Sequence, residues 1–100
     1  MITEVRASHI LVKSEKEALD LKKKLKEGEK FAKLAKRFST CDSKDDGGDL
    51  GFFGRGKMAE AFEAAAFKAQ PNTIAGPVKT EFGWHLIQVT ERREEPDAEA

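Results

Sequence analysis

Two short runs near opposite ends of the chain, HILV at residues 9–12 and WHLIQV at 84–89, constrain the fold most. Both consist of strand formers, and both are apolar at successive rather than alternate positions, the pattern of a strand covered on both faces. A chain of 100 residues is enough for one core and too short for two. Such strands belong in the middle of a sheet. Each run also carries one of the chain's two histidines, His9 and His85. An imidazole inside an apolar strand needs a hydrogen-bond partner or must give up its charge. If the strands pair, each ring can serve the other.

Between these runs the periodicity changes. EVRASHILV, residues 4–12, reads as the first strand. Ser14 followed three residues later by Glu17 forms a capping box for a helix over 15–27, with Ala18, Leu21 and Leu25 on one face and Gly28 ending it. Phe31, Leu34, Ala35 and Phe38 then fall on one stripe of a second helix. Four aspartates and five glycines in STCDSKDDGGDLGFFGRGKM predict an ordered but irregular loop with a short strand near 50–53. A third helix over about 59–69 stops before Pro71, and strands at 76–79 and 83–90 flank a TEF turn. The order β-α-α-loop-β-α-β-β defines an α+β domain over residues 1–93. Residues 94–100 are expected to form a disordered acidic tail.

Charge and cysteine usage narrow the chemistry. Lys and Arg number 18 against 18 Asp and Glu, so a dominant phosphate-binding role is disfavoured. Residues 13–37 hold ten cations against five acids, which reads as the solvated face of amphipathic helices rather than a nucleic-acid patch. One cysteine, Cys41, excludes an internal disulfide and any Cys-rich metal site. No apolar run approaches the roughly 18 residues of a membrane span, and MITEVRASH lacks the regions of a signal peptide. A cytoplasmic location is expected. A domain taken from an exported chaperone would read the same way.

Three chemistries compete for the polar residues. Cys41 with His9 or His85 is a candidate nucleophile and base, against which the loop offers no evident oxyanion hole. Cys41, both histidines and a loop aspartate have the composition of a zinc site, but no pair has zinc-like local spacing. GGDLGFFGRG resembles a phosphate loop only loosely, lacking the Lys-Ser or Lys-Thr ending.

ASHILVK, FAKLAKRFS, GGDLGFFGRGKM with AFEAAAF, and GPVKTEFGWHLI, in that order from about Arg6 to Glu91, resemble the parvulin family of peptidyl-prolyl cis/trans isomerases, above all its small free-standing members. The resemblance implies a four-stranded antiparallel sheet surrounded by helices, with the first and last strands central. His9 and His85 then match the family's hydrogen-bonded histidine pair behind the catalytic pocket. Cys41 matches a position held by cysteine or aspartate, and Thr80 the hydroxyl residue before the last turn. Leu50, Met58 and Phe62 match the apolar cup for the proline ring, Ala59 a residue holding a substrate carbonyl by its backbone N–H, and Phe82 a variable wall. The activity implied is noncovalent isomerisation of unmodified Xaa-Pro bonds, assisting folding, without metal or other cofactor. Its partners would be proline-containing peptides and unfolded proteins, with no nucleic acid or membrane, and the chain would be a monomer. The alternative is a module that binds proline-containing or unfolded segments with little turnover. Phosphate-directed parvulins carry a long Arg- and Lys-rich loop between the first strand and helix. Here that connection is only a few residues, Lys13 to Glu15.

Overall fold

A computed structural model describes residues 1–95. The first strand, β1 (Ile2–Val12), leads through Ser14 into α1 (Glu15–Lys26) and then α2 (Phe31–Phe38). After a 3-10 turn at Asp42–Asp46 come β2 (Asp49–Phe53), α3 (Glu60–Lys68), β3 (Ile74–Thr80) and β4 (Gly83–Glu94). Ser14 caps α1 as expected, its Oγ accepting the Glu17 N–H at 3.2 Å, and the Glu17 carboxylate accepts from the Ser14 hydroxyl rather than from its backbone N–H.

The four strands form one antiparallel sheet in the order β2-β1-β4-β3. The first and last strands of the chain are its centre, and the reason lies in their two apolar faces. On one face Val5 and Ala7 of β1 and Ile87 and Val89 of β4 pack with Phe53 and with Phe62, Ala66 and Phe67, the last three from α3. On the other, Ile10, Val12 and Leu86 pack with Ala18 and Leu21 of α1 and Phe31, Leu34 and Ala35 of α2. Two helices cover one side and one helix the other. The side with a single helix leaves room for a cavity.

Several details differ from the sequence reading, among them the first strand, which begins at Ile2 rather than residue 4. The Asp- and Gly-rich loop contains the 3-10 turn at Asp42–Asp46, too short for any periodic signature. β3 begins at Ile74 rather than 76, because Ile74 and Ala75 already pair with Gln88 and Ile87. β4 runs past residue 90, and past the boundary expected at 93, to Glu94, opposite Ile2. Its polar end is held by cross-strand contacts: Arg93 pairs with Glu4 at 2.8 Å and lies 3.9 Å over the Phe52 ring, and the Glu95 N–H donates to Met1 O at 2.9 Å. The rest of the expected acidic tail, 96–100, lies outside the described residues.

Candidate active site

The β1–β4 register sets His9 opposite Ile87 and His85 opposite Leu11. The two histidines are therefore diagonal neighbours on one sheet face, close enough for aromatic rings to meet. They stack at 20° with centroids 5.1 Å apart, and Nδ1 of one lies 2.9 Å from Nδ1 of the other. That bond requires one N–H and one lone pair, which two neutral imidazoles supply. Burial pushes both rings down to about 4, and at His9 the charge that His85 would carry adds to it. Both are neutral at pH 7.

The pair extends to a third side chain. His85 Nε2 lies 2.7 Å from Thr80 Oγ1, which also accepts the Phe82 N–H at 3.2 Å. Thr80, His85 and His9 thus share two protons along one chain, and the tautomer of either ring dictates that of the other. His9 Nε2 ends this chain, buried and without a protein partner among the described residues. The two-residue turn over Glu81 and Phe82 is pressed against β1. A Cβ on Gly83, at φ +139°, would stand 2.6 Å from Val12 O. Only glycine lets the turn sit this close.

In front of the imidazoles lies a cavity of about 270 Å³. Leu50 from β2, Met58 and Ala59 before α3, Phe62 of α3 and Phe82 of the last turn line it, with His9, His85, Cys41 and Leu11. Phe62 stands edge-on to both imidazoles, at 5.6 Å from His9 and 5.1 Å from His85. The walls are almost wholly apolar, and the polar groups converge on one side. Of the residues singled out from the sequence, all but Thr80 line the cavity, and Thr80 stands behind it through His85.

Two residues of this region were not foreseen. Leu11, two positions along β1 from His9, shares its face by strand alternation, a signal the sequence does contain. Ser39 is buried after α2, where its Oγ accepts the N–H of Leu11 at 3.0 Å and of Cys41 at 3.3 Å. It holds the Cys41 segment against β1, a long-range pairing that no local pattern announces.

The geometry also weighs the competing chemistries. Among the described residues no hydrogen bond joins the Cys41 thiol to an imidazole: both Nδ1 atoms and His85 Nε2 are engaged elsewhere, and His9 Nε2 has no protein partner, so no Cys-His pair is formed. No group of three or more His, Cys, Asp or Glu side chains among the described residues comes together as a metal site. What remains is an apolar cup with a neutral, hydrogen-bonded floor. Joined to this sheet order, it defines a class: a peptidyl-prolyl isomerase domain.

Comparison with known proteins agrees. The model of the rotamase, PPIC-type PPIASE domain matches residues 7–91. The chain belongs to this family, the parvulins. It is 54% identical over 91 residues to the foldase protein PrsA of a Geobacillus species, covering 90% of this chain and 33% of that protein. The crystal structure of PrsA from Bacillus subtilis superposes with a TM-score of 0.88 at 50% identity, over 93% of this chain and 37% of that one. The solution structure of the parvulin of Nitrosopumilus maritimus matches at TM-score 0.81 and 46% identity, over 89% of this chain and 97% of that one. The chain spans about a third of the length of the curated relatives it matches.

Proposed function

We propose that this domain catalyses cis/trans isomerisation of Xaa-Pro bonds in unmodified peptides and proteins, and so assists folding, by a noncovalent route. The observation that carries the reading is the apolar cup floored by a neutral histidine pair. Rotating the prolyl C–N bond costs about 18–20 kcal/mol because amide resonance is lost. No nucleophile is needed. A cup of Leu50, Met58 and Phe62 grips the ring alike in planar and twisted states and leaves the carbonyl side free to turn, and the exclusion of water favours the twisted state, whose carbonyl loses its dipolar character. Thr80, His85, His9 and Cys41 supply the polar surroundings of the turning group, and the Ala59 N–H holds a substrate carbonyl.

Its partners are proline-containing peptides and unfolded chains, taken up by a monomer without nucleic acid or membrane as ligand. No helix among the described residues is long and apolar enough to cross a membrane. Of the two locations expected, the domain of an exported chaperone has the better support. The chain matches, at 41% identity and TM-score 0.87, one of two structures described together as SurA-like chaperones of Campylobacter jejuni, a virulence factor and a periplasmic protein.

The test is exchange NMR on Xaa-Pro peptides with the chain alone. Uncatalysed exchange takes tens of seconds or more. Acceleration at catalytic enzyme is expected. Peptide binding without acceleration by the folded chain would move the reading to the binding module.

A further inference from the structure

Leu50 forms one wall of the cup, yet its segment has little regular structure of its own. β2 is five residues long and pairs only with β1. The pairing slips beside Leu50: Arg6 faces Phe52 but Ser8 faces Asp49, so β2 carries one residue more than β1 across this interval. Leu50 and Gly51 therefore lie in a bulge, where the ladder does not fix them.

Other contacts do. Before Leu50, the Gly48 carbonyl accepts the His9 N–H at 2.9 Å. Gly48 sits at φ +87°, and a Cβ there would lie 2.4 Å from His9 O, so this contact requires glycine. Around Leu50, the Asp49 carboxylate takes two bonds from the Arg6 guanidinium, to Nε at 3.3 Å and Nη2 at 2.5 Å, and its Oδ1 also accepts the Gly51 N–H at 2.9 Å. One carboxylate thus ties both neighbours of Leu50 to the central strand. Arg6 and Asp49 do not line the cup. They face a separate surface cleft with Ser8, Asp46 and Glu91.

We propose that the forked Arg6–Asp49 pair is a positioning device for substrate, holding Leu50 against the prolyl ring and thereby setting how tightly the ring is bound rather than how fast the bond turns. The proposal rests on the reading of the cup as the prolyl site. Loss of contact that is equal in ground and twisted states raises KM and leaves kcat alone. A purely structural pair would lower thermal stability without that split.

The experiment measures kcat and KM for an Ala-Pro peptide on the whole chain and its variants. Asp49→Asn keeps the shape and the Gly51 acceptor but loses the charge. It is expected to raise KM about fivefold, the upper range for an ion pair this exposed, with kcat within about twofold. Leu50→Ala should raise KM too, and the double variant Asp49→Asn/Leu50→Ala should be no worse than Leu50→Ala alone, because the pair acts through that side chain. Glu91→Gln removes only the other partner of Arg6 and should leave KM unchanged. Arg6→Lys, which keeps the charge and loses the fork, reads the same KM change should Asp49→Asn fail to fold. An unchanged KM in a folded Asp49→Asn or Arg6→Lys variant, or KM effects of Asp49→Asn and Leu50→Ala that multiply, would overturn the proposal. Absence of turnover by the unaltered chain would instead overturn the reading of the cup.

Discussion

Phe62 lines the cup, buried and edge-on to both imidazoles, whereas Cys41 lines it only half-buried. Substitution should separate the two. Met58→Ala, at a partly buried site, or Phe62→Ala is expected to lower kcat/KM about tenfold or more, since the ring is no longer held. Phe62→Ala will also cost about 3–5 kcal/mol of stability, the usual range for an aromatic removed from a core. Cys41→Asp should keep a substantial part of the activity, and stoichiometric loss on thiol blocking would instead indicate a covalent step. The histidines make a second prediction through pH. Their folded-state value, about 4, lies below the ordinary 6.5, so the unfolded chain takes up protons first as pH falls. Stability is complete above pH 6.5, declines between 6.5 and about 4, and gains no further loss from these rings below that. Urea unfolding at pH 7, 5.5 and 4.5 reads the decline, and equal stability at all three would show that the rings are not held neutral. His9→Ala, which leaves His85 Nδ1 without its partner in a buried strand, should lower both stability and activity.

At the scale of elements, the sheet separates work from support. α1 packs on the face away from the cup, so its cap at Ser14 bears on stability alone, whereas Ser39, the C-cap of α2, holds the Cys41 segment. Ser14→Ala is expected to lower unfolding free energy by about 1 kcal/mol and to leave kcat/KM unchanged, as denaturant titration beside the peptide assay will show. A fall in kcat/KM in the folded variant would mean that α1 reaches the site. The same division explains what could be read in advance. Helices with an apolar stripe and a capping signal, and strands apolar on both faces, announce themselves locally, and so did the central place of β1 and β4. The polar end of β4 did not, because Arg92, Arg93 and Glu94 carry no apolar pattern and are held only by the opposite strand. His9, His85 and the cup residues were legible as motifs. Leu11 was legible by alternation but passed over, and Ser39 and the Arg6–Asp49 pair depend on contacts between distant parts of the chain.

For the molecule as a whole, charge placement predicts which residues before proline are preferred. β1 ends at Val12 and α1 begins at Glu15, so only Lys13 and Ser14 lie between them, with no long loop to carry an arginine fork. The cations of α1 and α2 lie on the far side of the sheet from the cup. The 3-10 turn that follows Cys41 carries Asp42, Asp45 and Asp46, all exposed; it starts at the rim of the cup, next to Cys41, whereas Asp46 faces the cleft beside Arg6 and Ser8. Asp49, which the sequence grouped with them, is engaged by Arg6 and does not add to their field. A doubly charged phosphate before the proline would meet the negative charge that this turn sets beside Cys41, without a compensating fork, each exposed contact costing roughly 0–1 kcal/mol. PhosphoSer-Pro and phosphoThr-Pro peptides should therefore be turned over no better than their unmodified forms, and neutral or basic residues before proline should be preferred. Comparing kcat/KM for Ala-Pro, Lys-Pro, Glu-Pro and phosphoSer-Pro peptides at low salt tests this, because screening weakens exposed charge effects as salt rises. The expected order places Lys-Pro and Ala-Pro above Glu-Pro and phosphoSer-Pro. A phosphopeptide preferred about tenfold, a difference of about 1.4 kcal/mol in the wrong direction, would require a cationic grip that the short β1–α1 connection does not offer.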